Sequence, residues 1–246
     1  MLALPSLSIL ITVTDATHRV QSVVEEASRA LRHARSLEFI VVDDATASLT
    51  AESLARLAES DSRVRVLRQS LPIGEDAALL RAGEVAANEW VATLDASGRD
   101  DPHDLPEMLC QARHHGLTLV HGKAMAPIGY RDRATHWVAS LGRSGSSHHH
   151  GMDLVRRDAL ALMPDMTGLK RYLPLLVARR GWLMECHAAN PRPGIQRPAR
   201  ALYRLPLEAL ITARDALGMA WFSRRLRPLT PQPAAARHPK RRAYAR

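Results

Sequence analysis

Residues 90–109 read WVATLDASGRDDPHDLPEML, and the order of residue types in this stretch decides the fold. Trp90–Leu94 is a short apolar run with a β-branched member, the pattern of a strand buried on both faces. It stops abruptly on Asp95. A polar, glycine-containing turn follows, and Asp100 or Asp101 then caps a helix over 103–115 that carries Pro102 in its first turn. The same unit recurs upstream. SILITVT (8–14) and FIVV (39–42) are buried strands, the first leading into Asp15 and the second ending on Asp43-Asp44. VRVL (64–67) is a further strand. Helical spacing of apolar residues is found over 18–34, 50–60 and 75–87. Four strand–helix alternations in under a hundred residues predict an α/β protein with a mostly parallel sheet and helices on both of its faces. Ligands of such sheets bind outside the carboxyl ends of the strands, where Thr14, Asp15, Asp43, Asp44 and Asp95 collect.

Composition bounds the remainder. A chain of 246 residues with 46% hydrophobic content can bury a full core, and 4% aromatics leave aliphatic side chains to fill it. No run of eighteen apolar residues occurs, so no spanning helix is expected. The apolar N-terminus lacks a basic n-region and reads as a buried strand. Cys110 and Cys186 are isolated, which suits a reduced, cytoplasmic setting. The net charge of +9 is local: residues 224–246 hold eight basic residues and no acid, and without them 26 basic residues face 25 acidic ones. This proline- and alanine-rich tail is expected to be disordered. It is a solvated end or a contact for an anionic membrane surface; nucleic acid is not expected, because the body shows no basic stripe with interleaved aromatics.

Downstream of 115, Leu117–His121 is expected as a strand, 140–151 (SLGRSGSSHHHG) as a loop, 156–163 and 168–180 as helices, and Trp182–Ala188 as a closing strand. Residues 203–222 form an amphipathic pattern. The three adjacent histidines His148–His150 cannot all face one ion and read as surface.

VATLDASGRDDPHDLPEML (91–109), FIVVDDAT (39–46), Gly74 and Gly83, and the later RRDALALMP (156–164) and LKRYLPLLVARRGW (169–182) together resemble the family-2 glycosyltransferases of the GT-A fold. The likeness is to the branch that moves a sugar onto dolichyl or polyprenyl phosphate. It implies a GT-A domain over 1–202, with a nucleotide-binding half (1–102) and an acceptor half (103–202). A C-terminal helix (203–223) and the tail (224–246) would follow. It also implies a UDP- or GDP-linked sugar donor and a lipid-phosphate or glycan acceptor. Thr12, Thr14, Asp43, Asp44, Gly74 and Asp95 would then contact the nucleotide, with Asp95, Arg99 and Arg171 in catalytic positions.

The sequence departs from the family where chemistry concentrates. The family holds Mg or Mn between two aspartates at i and i+2; here Asp95 is kept, Ala96 and Ser97 follow, and Arg99 stands where glutamine is common. Thr12, Thr14 and Ala16 replace proline, tyrosine and glutamate. Ser147, His148–His150 and Asp153 replace the aspartate, Gly-Cys and lysine of the acceptor loop. Three readings follow: a transferase in which Arg99 takes over the electrostatic role of the metal, which only Asp95 would otherwise hold; an inactive nucleotide-sugar binder or scaffold for a protein partner; or an adaptor peripheral to the membrane.

Overall fold

The computed structural model describes residues 4–13, 19–46, 48–124, 152–190 and 192, together with 214, 218, 221, 222 and 225. Seven strands form one sheet in the order β3-β2-β1-β4-β6-β5-β7. They are β1 (Leu7–Val13), β2 (Leu37–Asp43), β3 (Val64–Arg68), β4 (Trp90–Asp95), β5 (Leu119–Ala124), β6 (Asp153–Arg156) and β7 (Met184–Ala189). Strands β3, β2, β1 and β4 are parallel neighbours, β5 and β7 pair in parallel, and β6 runs antiparallel between β4 and β5.

The helices are α1 (Val20–Ala30), α2 (Ser48–Ser60), α3 (Gly74–Val85), α4 (Leu105–His115), α5 (Arg157–Leu160) and α6 (Leu169–Arg179). Strand alternation sorts them. Leu7, Ile9, Ile11 and Val13 of β1 face a core built with α1, α2 and α4. Leu10 of β1, Ile40 and Val42 of β2 and Val91 of β4 face the other core, built with α3, α5 and α6. The expected fold class is therefore observed. Gly83 lets α3 approach α5 closely, since a Cβ there would lie 2.8 Å from Leu160 Cδ2.

The expected Pro102 start is present as a short 3₁₀ turn, Pro102–Asp104, leading into α4; Asp101 caps it by accepting from the His103 amide at 3.0 Å. One element is corrected. The expected helix over 156–163 is shortened to the four-residue α5, and β6, which ends at Arg156, is a strand that was not expected before it. Leu154 and Val155 are fully buried on opposite faces, and four residues are too few for periodicity to separate a strand from a helix. At 203–222, Arg214, Gly218, Trp221 and Phe222 are helical, as is Arg225 beyond it. Phe222 packs on the α3–α6 core, while Trp221 is exposed with the Arg225 guanidinium 4.1 Å from its ring centre. The rest of that stretch, the tail apart from Arg225, Thr14, Asp15 and 140–151 lie outside the described residues. No helix among the described residues is long and apolar enough to cross a membrane.

Candidate functional site

A cleft opens at the carboxyl edge of β1 and β4, under α3 and α6. Its lining includes Thr12, Glu75, Thr93, Asp95, Arg99 and Lys170. Thr12 and Asp95 are register neighbours on adjacent strands, so the sheet itself brings them together.

Asp95 is fully engaged by its own turn. Oδ1 accepts from the Ser97 amide at 2.7 Å and from Ser97 Oγ at 2.5 Å, while Oδ2 meets Arg99 Nη2 at 2.8 Å. Gly98, at φ +76°, lets the turn close with its amide on the Asp95 carbonyl. A divalent cation needs several oxygen ligands with free lone pairs. Asp95 has both oxygens committed and a fixed cation against it, and Asp100 in the same turn is directed at the Asp95 amide, so this donor set does not fit such a metal. Charge bookkeeping explains how the turn holds together without one. Two aspartates and a divalent cation sum to zero, and so do Asp95 and Arg99.

Arg99 retains unspent hydrogen-bonding capacity. Its Nε is buried with no partner among the described residues, although the side chain as a whole is about a third exposed to the cleft. Lys170, in the first turn of α6, adds a second cation, 3.8 Å from the solvent-facing Glu75. Asp100 stands behind them and accepts the Asp95 amide at 2.9 Å. Burial pushes its carboxyl up to about 6, against the pull of Lys170 and of that amide.

The expected nucleotide residues are placed differently from one another. Thr12 lines the cleft. Asp43 is fully buried and folds back on its loop, Oδ1 accepting from the Thr46 amide at 2.9 Å and Oγ1 at 2.6 Å. Asp44 closes the entrance of α3: Oδ1 accepts from the Ile73 amide at 2.5 Å and Oδ2 from the Gly74 amide at 2.9 Å. Gly74, at φ +79°, provides the backbone shape for that latch. Between the two acids and Thr46, Ala45 adopts φ +58°, a left-handed conformation that costs a non-glycine residue roughly 1 kcal/mol. Asp76 performs the corresponding service for α6, its two oxygens accepting the Gly168 amide at 2.7 Å and the Lys170 amide at 2.8 Å. Aspartates thus already take amides at both helix N-termini beside the cleft, and Arg99 and Lys170 are the side-chain cations in its lining.

Arg171, expected in a catalytic position, packs its guanidinium 5.2 Å from the Tyr172 ring centre, and its neighbour Lys170 is the α6 residue in the cleft lining. Sequence reading did not single out Lys170, whose place in the cleft lining depends on how α6 packs. It also missed Arg192. Its guanidinium spans Glu26 (2.5 Å) and Asp101 (3.1 Å) and reaches the Gly98 carbonyl at 3.3 Å, clamping the Asp95 turn from behind. Glu26, Asp101 and His103 lie close enough to suggest a cation site, but Arg192 already supplies the positive charge there and holds the Glu26 carboxyl below its ordinary range.

The comparisons with known proteins agree with this geometry. The model for Glycosyl transferase family 2 matches residues 8–173, more than half of the chain. The chain is 24% identical over 182 residues to the dodecaprenyl-phosphate galacturonate synthase of Rhizobium johnstonii, covering 70% of this chain and 54% of that protein, so it spans about half the length of that relative. Among solved structures it resembles the glucosyl-3-phosphoglycerate synthase of Mycobacterium tuberculosis in complex with Mn2+, UDP and phosphoglyceric acid. The TM-score is 0.65 at 16% identity, covering 87% of this chain and 79% of that one. It also resembles the mannosyltransferase PcManGT of Pyrobaculum calidifontis in complex with GDP-Man and Mn2+. Here the TM-score is 0.59 at 16% identity, over 89% and 75% of the two chains. At such identities the structural matches speak for the fold alone, and they agree with the seven-stranded sheet described above. With the family model spanning β1 to β6, the cleft-lining residues and the first turn of α6, the chain belongs to glycosyl transferase family 2.

Proposed function

We infer that this chain binds a nucleoside diphosphate sugar in the cleft and transfers the sugar to an acceptor, using Arg99 and Lys170 where its relatives use a divalent cation. The observation that carries this reading is the Asp95–Arg99 pair at 2.8 Å, with Lys170 lining the same cleft. Cleavage of the sugar–phosphate bond leaves negative charge on the diphosphate, and preorganised cations at that point lower the barrier. Arginine suits the task because its planar fork can hold a carboxylate on one edge and offer remaining donors to a phosphate. Thr12 and Asp95 lie at the nucleotide side of the cleft, while Asp43, Asp44 and Gly74 shape the loop and helix entrance that would border the nucleoside. UDP and GDP-Man are bound in the neighbours in fold, and the name of the dodecaprenyl-phosphate galacturonate synthase relative supports a lipid-phosphate acceptor.

The test is release of UDP from UDP-glucose and of GDP from GDP-mannose by purified protein in EDTA, against Arg99→Ala and Lys170→Ala. Turnover that survives EDTA and falls at least tenfold in each variant is expected. The single-aspartate turn also favours a second reading, an inactive family member that binds nucleotide or scaffolds a protein partner. Nucleotide binding without release from either donor would select that reading.

A further inference from the structure

A divalent cation in such a cleft is fixed by several ligands at once, whereas a guanidinium stands only where its partners and its backbone put it. Asp95 fixes one edge of the Arg99 fork at 2.8 Å. The backbone needs a separate hold, because Gly98 precedes Arg99 at φ +76° and a glycine leaves the turn free to swing. The turn rests on α1. A Cβ on residue 98 would lie 3.6 Å from Val23 Cγ2, and Val23 belongs to the buried face of that helix with Val20, Val24 and Ala27.

Arg192 holds this backbone on both sides of Arg99. Its Nη1 donates to the Gly98 carbonyl at 3.3 Å, one residue before, and Nη2 donates to Asp101 Oδ1 at 3.1 Å, two residues after. The same two nitrogens hold Glu26 of α1, Nη1 donating to Oε2 at 2.9 Å and Nη2 to Oε1 at 2.5 Å. A bidentate arginine–carboxylate pair of this kind is both strong and directional. Arg192 is anchored in turn by the chain that leads to it from β7. The Asn190 amide donates to Asp104 Oδ2 at 2.9 Å and Asn190 Nδ2 to Oδ1 at 2.6 Å, and Asp104 is buried in the 3₁₀ turn. The clamp therefore joins α1, the Asp95 turn, the 3₁₀ turn and the chain that leaves β7. Arg192 lies beyond the residues 8–173 that the family model matches. It is not in the cleft lining, so any effect on the reaction has to pass through the turn.

We propose that Arg192 is a positioning residue for the transfer, which fixes the backbone that carries Arg99 and thereby keeps the remaining donors of the Arg99 guanidinium aimed at the diphosphate. The inference rests on the transferase reading above, in which Arg99 stabilises the negative charge left on the diphosphate. Preorganisation gives such a cation its effect, since a donor that must first be ordered loses part of its interaction to that ordering. Arginine suits this position and lysine does not. Holding Glu26, the Gly98 carbonyl and Asp101 together takes a planar fork with two separate nitrogens, whereas an ammonium presents its donors from a single point.

The experiment follows release of UDP from UDP-glucose and of GDP from GDP-mannose in EDTA, with UDP and GDP affinities measured in parallel. The proteins are wild type, Arg192→Lys, Glu26→Gln, Arg99→Lys, and the two double variants that join Arg99→Lys to Arg192→Lys or to Glu26→Gln. Each is checked for an unchanged circular dichroism spectrum. A displacement of about 1 Å remote from the chemistry can cost about 10²-fold, so kcat/KM is expected to fall by about 10–100-fold in Arg192→Lys and by about tenfold in Glu26→Gln. In the Arg99→Lys background the same two changes are expected to cost less than about threefold more, because all three act through one guanidinium. If Arg192→Lys does not fold, Glu26→Gln carries the same cycle. Activity within about threefold of wild type in both Arg192→Lys and Glu26→Gln overturns the positioning role and leaves the transferase reading standing. A loss that multiplies in full with that of Arg99→Lys also overturns it, since general destabilisation would act in that way. Wild type that binds nucleotide without releasing it from either donor overturns the transferase reading alone, and the affinities then read the same cycle. Wild type that binds neither nucleotide overturns both.

Discussion

Replacing Asp100 with asparagine is expected to flatten the pH dependence of stability by removing one carboxyl. Burial is the largest influence on that carboxyl and pushes it up to about 6; the neighbouring Asp95 charge acts in the same direction, while Lys170, the Asp95 amide and Arg99 oppose both. In the unfolded chain the group titrates at its ordinary value of 3.8. The folded protein therefore holds this proton more tightly. Its contribution to stability is full below about pH 4 and is lost as pH rises through about 6. Two pH units at about 1.4 kcal/mol each set a ceiling of about 3 kcal/mol, and the partial exposure of the side chain brings the expected range to about 1–3 kcal/mol. Asparagine keeps an oxygen for the Asp95 amide, so the turn survives the change. For a domain of this size, the predicted difference is roughly 2–10 °C in Tm. Melting both proteins by scanning calorimetry at pH 4.5 and 7.5 reads it directly, because the other carboxylates cancel in the comparison. The variant should gain on wild type as pH rises. Parallel curves, or a variant that loses ground at pH 7.5, would refute the burial of the Asp100 carboxyl.

The Asp44 latch should be visible in stability as well as in binding. Asp44→Ala frees two amides at the entrance of α3 and is expected to cost about 2–3 kcal/mol in chemical denaturation, together with at least a tenfold loss of UDP or GDP affinity if the same loop borders the nucleoside; lower stability with unchanged affinity would assign Asp44 to the latch alone. The double variant Ser97→Asp, Arg99→Gln removes the fixed cation and provides a second carboxylate, so manganese should tighten nucleotide binding in that protein. A variant that ignores manganese would show that the turn cannot be returned to a metal site by these two positions.

The fold was legible because its determinants are local and repeated. Buried strands that end on Asp43-Asp44 and Asp95, with helical spacing between them, leave few arrangements other than a parallel sheet with its ligand edge at those acids. The small β6 was not legible, since Asp153–Arg156 owes its strand conformation to pairing with β4 and β5, residues distant in the chain. The site shows the same division. Arg99 was identifiable from the resemblance, because it stands where the family commonly has glutamine, and the structure joins it to Asp95. Arg192 was not, because its partners Glu26, Gly98 and Asp101 lie more than ninety residues before it. Nor could spacing alone show that Asp44 and Asp76 spend themselves on helix entrances. Those contacts depend on how α3 and α6 pack, and they are what shifts the anion-binding role onto Lys170.

The most direct test of the central claim is a calorimetric titration of the purified protein with UDP and with GDP, each in manganese and again in EDTA. The account predicts binding of one nucleotide with the same affinity in both conditions, and loss of that binding in Arg99→Ala. Binding that requires manganese would contradict it, since the Asp95 turn would then be holding a metal that its engaged oxygens and the Arg99 guanidinium should exclude.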